Sequence, residues 1–242
     1  MELNLHRKKV FVCHVKTGYQ DREQHITQML GRMKMPFEFI TEGDIADLTP
    51  EVLNHYFGGG MKKVDAQTSC AYKHILACKA IVDQQLDGAL VLEDDICLNE
   101  SCFAKIFNKS LDELNELLSG ASMISYEDTR LRFVPRSKRQ KNKVLYVGDR
   151  DRMTGAYYVN HEAAKLVLHL CETQKMNLPC DWFYAELIKQ HLLIYYWCQP
   201  TIASQGSHTG RFASTLNLHK SVFLPFLWQF KLHYKKLLYW FR

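Results

Sequence analysis

Gly88-Ala89-Leu90-Val91-Leu92 is a continuous apolar run that ends abruptly in Glu93-Asp94-Asp95. No other segment limits the fold so much. A short unbroken apolar run fits a strand buried on both faces, the habit of parallel sheets covered by helices on each side. Three adjacent carboxylates repel one another, and burying them is expensive unless a cation neutralises them. In open α/β sheets, ligands bind beyond the carboxyl ends of the strands. Glu93 and Asp95 stand two residues apart, so on an extended chain they point the same way and can converge on one ion. Oxygen donors suit Mg²⁺ or Mn²⁺. The plain alternative is a solvated acidic turn after a strand.

The rest of the chain alternates in the same style. Val10–Val15 and Phe37–Ile40 read as strands, with a helix between them that runs to about Met33. Thr49-Pro50-Glu51 opens a short helix, Thr as N-cap and Pro at the first helical position. Helices are expected over Ser69–Gln85, Ser101–Leu118, His161–Glu172 and Asp181–His191. Strands are expected over Ala121–Tyr126, Val144–Val147, Gly155–Val159 and Leu193–Trp197. Phe133–Lys143 is a basic loop. Strands alternating with helices predict an α/β domain with a largely parallel sheet.

Composition removes several classes. The chain has 242 residues and a formal net charge of +5, enough length for one domain with a real core. No apolar run reaches the roughly 20 residues of a transmembrane helix, and the start, MELNLHRKKVFVCHV, does not read as a signal peptide. The 8 cysteines include no C-x-x-C pair. Their neighbours (FVCHV, DDICL, YWCQP) read as core, so they are expected as buried free thiols in a reducing compartment.

Gly88–Ile96 resembles the "alIlEDDv" segment of glycosyltransferase family 25, the lipooligosaccharide galactosyltransferase-like enzymes. Further pieces are similar in the same order. Phe11–Val15 with Asp21-Arg22 resembles the family's first strand and its "dR" pair. Ser69-Cys70-Ala71-Tyr72-Lys73-His74 resembles "GCxxSH". Thr154–Val159 and then Ala163–Leu166 resemble "g-aYliS…gA-kLl", Pro179-Cys180-Asp181 resembles "PvD", and Pro200 with Gln205 resembles a closing "P…Q". The likeness spans roughly residues 9–206. The sequence departs from it at Ser69, where the family has glycine, at Lys73, where it has serine, and at His14-Val15, where it has Asn-Leu.

The resemblance implies a GT-A fold and an inverting transfer from a nucleotide sugar, usually UDP-galactose, to a lipooligosaccharide or LPS-core acceptor. It places the protein in the cytoplasm, on the inner face of a bacterial inner membrane. Glu93 and Asp95 are then expected to hold Mn²⁺ or Mg²⁺, with His208 closing the metal site. Asp181, at a helix start, is expected as the general base, with Glu127 or Asp128 as the alternative base and a helix cap as the plain reading of Asp181. Arg22, Asp44, His74, Asp94 and Gly155 are expected at the donor; a core or capping role is the plain reading of His74.

After Glu186 there is no acidic residue, while Lys220, Lys231, Lys235, Lys236 and Arg242 alternate with aromatic residues. Residues 1–218 are therefore read as the transferase domain, and 219–242 as a segment that meets an anionic membrane surface. A C-terminal helix packed on the domain is the plain reading. No RNA-binding signature accompanies the basic residues, so no nucleic acid is expected. Two further classes stay open: a carbohydrate- or membrane-binding protein without turnover, and a Mg²⁺-dependent phosphohydrolase, for which no Gly-rich phosphate loop is present.

Overall fold

Nine strands and eight α-helices form among the described residues of the computed structural model, which are 3, 6–117, 120–209, 211–212 and 224–241, with the backbone alone for 208–209 and 224–226. The strands are β1 (Lys8–Cys13), β2 (Glu38–Ile40), β3 (Gly88–Glu93), β4 (Ile96–Leu98), β5 (Ser122–Ser125), β6 (Leu145–Val147), β7 (Ala156–Asn160), β8 (Ile194–Cys198) and β9 (Ala203–Gln205). The helices are α1 (Gln20–Arg32), α2 (Pro50–Tyr56), α3 (Ala66–Asp83), α4 (Phe103–Glu116), α5 (His161–Thr173), α6 (Cys180–Lys189), α7 (Gly206–Thr209) and α8 (Leu224–Phe241).

Seven strands form one sheet in the order β2-β1-β3-β7-β5-β8-β6. β2, β1, β3, β5 and β8 run the same way, while β7 and β6 run against them. The sheet is therefore mostly parallel, as expected. β3 is buried on both faces. Ala89 and Val91 join the core under α3, α5 and α6, and Leu90 and Leu92 join the core under α1 and α4. That double burial is why its sequence shows no alternation. Each of these side chains contributes roughly 1.5–3 kcal/mol if fully buried, with Ala below that range.

Local signals fix the helix starts. Thr49 caps α2, its Oγ1 accepting from the Val52 N–H, and Pro50 follows at the first helical position. α3 begins three residues before the expected Ser69, because the Asp65 carboxylate accepts from the Thr68 N–H at 2.9 Å and makes Asp65 the cap. β4 and β9, both unforeseen, pair as a separate antiparallel ribbon that places Gln205 opposite Ile96. Each has only three residues, too few for a period to show.

Register brings the chemistry to one edge. Cys13 at the end of β1 is level with Ile40 of β2 and with Glu93 of β3. β7 runs oppositely, so its start, just after Thr154-Gly155, arrives at the same edge, with Ala156 opposite Leu92.

The segment read as membrane-associating, 219–242, is described over residues 224–241, where part of it touches the domain. Leu232 is buried, Lys236 Nζ lies 3.7 Å from Asp128 Oδ2, and the Arg136 guanidinium sits 3.9 Å over the Trp240 ring. Lys220 and Arg242 lie outside the described residues. No helix among the described residues is long and apolar enough to cross a membrane.

Candidate active site

A cavity of about 290 Å³ opens at the carboxyl edge of β1 and β3. Its wall combines Cys13 at the end of β1 and His14 after it, Arg22 from α1, Ser69, Cys70 and Lys73 from α3, Glu93-Asp94-Asp95, Thr154, Cys180-Asp181 and Gln205.

The three acidic residues have different surroundings. Both oxygens of Asp94 are engaged: Arg22 Nη1–H donates to Oδ1 at 3.0 Å, and His14 Nδ1–H donates to Oδ2 at 2.8 Å. Asp94 therefore fastens Arg22 and His14 rather than offering a free carboxylate. Burial opposes the Arg22 charge, but the nearby Asp94 and Asp95 carry its pKa above the ordinary value. Glu93 receives longer contacts, from Thr154 Oγ1–H at 3.2 Å and from Gln205 Nε2–H at 3.4 Å.

Asp95 is 4% exposed. Its Oδ2 accepts from the Ser207 N–H at 3.3 Å, while Oδ1 is buried without a hydrogen-bond partner. Burial, and then the charge of Glu93, push its carboxyl up to about 6. A buried carboxylate with one orphaned oxygen beside a second carboxylate suits a hard divalent cation. The residues present fit Mg²⁺ or Mn²⁺ on Glu93 and Asp95. His208 follows Ser207 in α7, and its side chain lies outside the described residues.

Asp181 occupies the second residue of α6, and Pro179, not Asp181, holds the cap position. Arg130 Nη2–H donates to Asp181 Oδ2 at 2.7 Å. Burial raises the Asp181 carboxyl and Arg130 partly reverses this. The alternative bases lie outside the cavity wall. Glu127 is fully buried and accepts from Thr129 Oγ1–H and from the Gly155 N–H, and burial holds its carboxyl well above the usual range. Asp128 accepts from Ser204 Oγ–H and faces Lys236 of α8.

The remaining expected donor residues divide. Gly155 is a packing position: a Cβ there would meet Gln205 Nε2 at 2.7 Å, and its carbonyl accepts from the Glu93 N–H. Asp44 is held 2.7 Å from Lys73 Nζ and accepts from the Lys16 N–H. The two departures on α3 act together here. Ser69 Oγ–H donates to the Gly43 carbonyl at 2.7 Å, and Lys73 Nζ donates to the carbonyls of Thr41 and Glu42. Gly43 has φ +86°, and a Cβ there would meet Tyr72 Cδ1 at 3.0 Å and Leu76 Cδ1 at 3.1 Å, so only glycine fits without strain. His74 is fully buried behind the wall, its Nδ1 2.9 Å from the Tyr157 hydroxyl. Arg130 and Thr154 were not foreseen as site residues; Thr154 lay inside a quoted segment, and Arg130 carries no local signal.

The arrangement is that of an α/β protein with a charged cavity at the carboxyl edge of a mostly parallel sheet. The model of "Glycosyltransferase family 25 (LPS biosynthesis protein)" matches residues 8–184. The chain belongs to glycosyltransferase family 25. A Haemophilus influenzae protein named as a glycosyltransferase is 25% identical over 171 residues, covering 68% of this chain. The chain spans 58% of that relative's length. Among solved structures, one similar chain is a glycosyltransferase involved in glycosylation of the major capsid of PBCV-1, at 9% identity and a TM-score of 0.42, covering 82% of this chain and 93% of its own. Another is apo mouse xyloside xylosyltransferase 1, at 14% identity and a TM-score of 0.42, covering 80% and 73%. Family membership rests on the match over residues 8–184.

Proposed function

We propose that this protein transfers a hexose from a nucleotide sugar to an acceptor hydroxyl in a single, inverting displacement. The observation that carries the reading is Asp95: a buried carboxylate with an orphaned oxygen beside Glu93, at the edge where open α/β sheets bind their ligands. A divalent ion held by Glu93 and Asp95 would neutralise charge on the leaving diphosphate. Asp181, across the cavity, takes the proton of the acceptor hydroxyl as its oxygen bonds to the anomeric carbon. The bond from that carbon to the diphosphate oxygen breaks, and the nucleoside diphosphate leaves with the electron pair. The transition state is oxocarbenium-like. Arg22, fixed by Asp94, faces the same space as a positive charge for phosphate oxygens.

Resemblance to galactosyltransferase-like members supports UDP-galactose as donor, and the family's LPS description supports a surface-glycolipid acceptor. We infer that α8 brings the enzyme to that acceptor on an anionic membrane surface. Its docked face carries Leu232, Lys236 and Tyr239, whereas Leu227, Phe230, Tyr234, Leu237 and Phe241 form an exposed stripe one helical face away. Phe230 is 67% exposed and Phe241 81%. Lys231 and Lys235 lie along one side of the stripe, as basic residues do in helices that lie in a bilayer interface. This supports a peripheral location on the inner face of the bacterial inner membrane.

The test is hydrolysis and transfer with a panel of UDP-sugars, with Mn²⁺ and with chelator. Metal-dependent release of UDP from one sugar is expected. Binding without release would favour the carbohydrate-binding alternative, and release of inorganic phosphate from simple phosphoesters would favour a phosphohydrolase.

A further inference from the structure

We propose that Cys70 Sγ, His74 Nε2 and Glu93 Oε1 form a second cation site, selective for a soft or borderline ion such as Zn²⁺, whose occupancy blocks the hard-cation site by taking Glu93. The three ligand atoms lie within 4.8 Å of one another. Cys70 and His74 stand four residues apart on α3, so one helix face presents both.

His74 is fully buried, yet its Nε2 has no hydrogen-bond partner. That nitrogen lies 3.6 Å from Glu93 Oε1, too far for a good hydrogen bond. Zinc bonds of about 2.0–2.2 Å to nitrogen and oxygen place tetrahedral ligand atoms roughly 3.3–3.5 Å apart, so the observed 3.6 Å gap is close to a tetrahedron edge. The Tyr157 hydroxyl, 2.9 Å from Nδ1, can accept the Nδ1 proton. The Nε2 lone pair then faces Glu93, the outer-shell arrangement that orients a ligating imidazole.

Thiolate and imidazole select Zn²⁺ over Mg²⁺ and Mn²⁺, which carboxylates suit. Binding displaces the Cys70 proton to solvent and forms the sulfur–metal bond. Cys70 and Glu93 both line the cavity, so a fourth position is open to water. The exclusion of the hard cation rests on the transferase reading; the soft-ion site does not.

Co²⁺ is the probe, titrated into the full chain without donor or acceptor. One equivalent should give the charge-transfer absorption of a cobalt thiolate and the intense visible bands of tetrahedral cobalt, and Zn²⁺ should bleach both. Cys70→Ser should lose the charge-transfer band and bind Zn²⁺ about 10–100-fold more weakly. A wild-type spectrum without thiolate charge transfer overturns the proposal, as does an undiminished band in Cys70→Ser, which would assign the thiolate to Cys13 or Cys180. Should Cys70→Ser not fold, alkylation of the wild type decides: Zn²⁺, but not Mg²⁺, should slow iodoacetamide labelling of Cys70 read by peptide mass spectrometry, and equal labelling overturns the site. Neither readout needs turnover, so its failure and a failure of the transfer assay are separate results.

Discussion

Arg130 Nη2 lies 2.7 Å from Oδ2 of Asp181, which lines the cavity. Burial favours the protonated carboxyl, and the guanidinium favours the carboxylate that a base must be. Arg130→Met removes the second influence, so the Asp181 pKa should rise further. The acid limb of the kcat–pH profile should then move to higher pH, with kcat at neutral pH falling and recovering in alkaline buffer. An unmoved limb would mean that Asp181 is not the base.

Asp181→Asn should lower kcat by roughly 10²–10⁴, the usual range for losing a general base. Donor affinity by calorimetry should stay unchanged, since Glu93 and Asp95 come from the end of β3 and Asp181 from α6. Because Glu127 is sealed from the cavity and Asp128 is turned to Ser204 and Lys236, Glu127→Gln should act on stability, not on the pH profile.

Asp95 offers a stability test without any substrate. Its folded pKa, about 6, lies above its ordinary 3.8, so the folded state holds the proton more tightly than the unfolded one. Stability of the metal-free protein should therefore fall as pH rises from about 4 to about 6, and the full penalty should persist above that. Asp95→Asn removes it. At pH 7 with chelator the variant should be more stable than wild type, on the order of 1–3 kcal/mol, and the difference should vanish near pH 4. Mn²⁺ should raise the Tm of wild type and leave the variant unmoved. A variant less stable than wild type at pH 7 would show that the carboxylate is satisfied within the protein.

The strand Gly88–Leu92 and its acidic end were legible because burial on both faces writes itself as an unbroken apolar run, and Thr49-Pro50 because capping is local. What stayed hidden depends on distance. Arg130 and Asp181 meet across 51 positions of sequence, and nothing near either residue announces the other. Cys70 and His74 share a helix, yet their spacing matches no common zinc motif, so the thiols read as core. Ser69 and Lys73 stand out in the sequence only as departures from the family pattern, whereas folded they clamp the Gly43 loop. The docking of α8 needed the partners Asp128, Phe133 and Arg136, none of which is marked in the sequence as a landing site.

That clamp is itself testable. Lys73 is 3% exposed and its ammonium faces Asp44 at 2.7 Å. Lys73→Met should destabilise the protein by about 2–4 kcal/mol, a little under the range for stripping one partner from a fully buried pair, because Asp44 keeps some access to water. Adding Asp44→Asn should recover part of the loss, and a double-mutant cycle from urea unfolding should show the coupling. Independent, additive losses would mean that Lys73 acts through the Thr41 and Glu42 carbonyls instead.

The exposed stripe of α8 makes the membrane reading separable from folding. Phe230→Ser with Leu237→Ser changes only outward residues and leaves Leu232, Lys236 and Tyr239 on the docked face, so thermal stability should hold. Co-sedimentation with anionic vesicles should nevertheless fall. Lys231→Gln with Lys235→Gln removes the electrostatic part instead. At about 1 kcal/mol per lysine near an anionic surface, binding should weaken roughly 30-fold, and added salt should mimic this change because screening acts on the same charges. Vesicles of neutral lipid should bind all forms poorly, and activity on a small soluble acceptor should be the same in every variant. If the serine variant sediments as well as wild type, the stripe is not the membrane face, and the basic loop at Arg136–Lys143 becomes the surface to test.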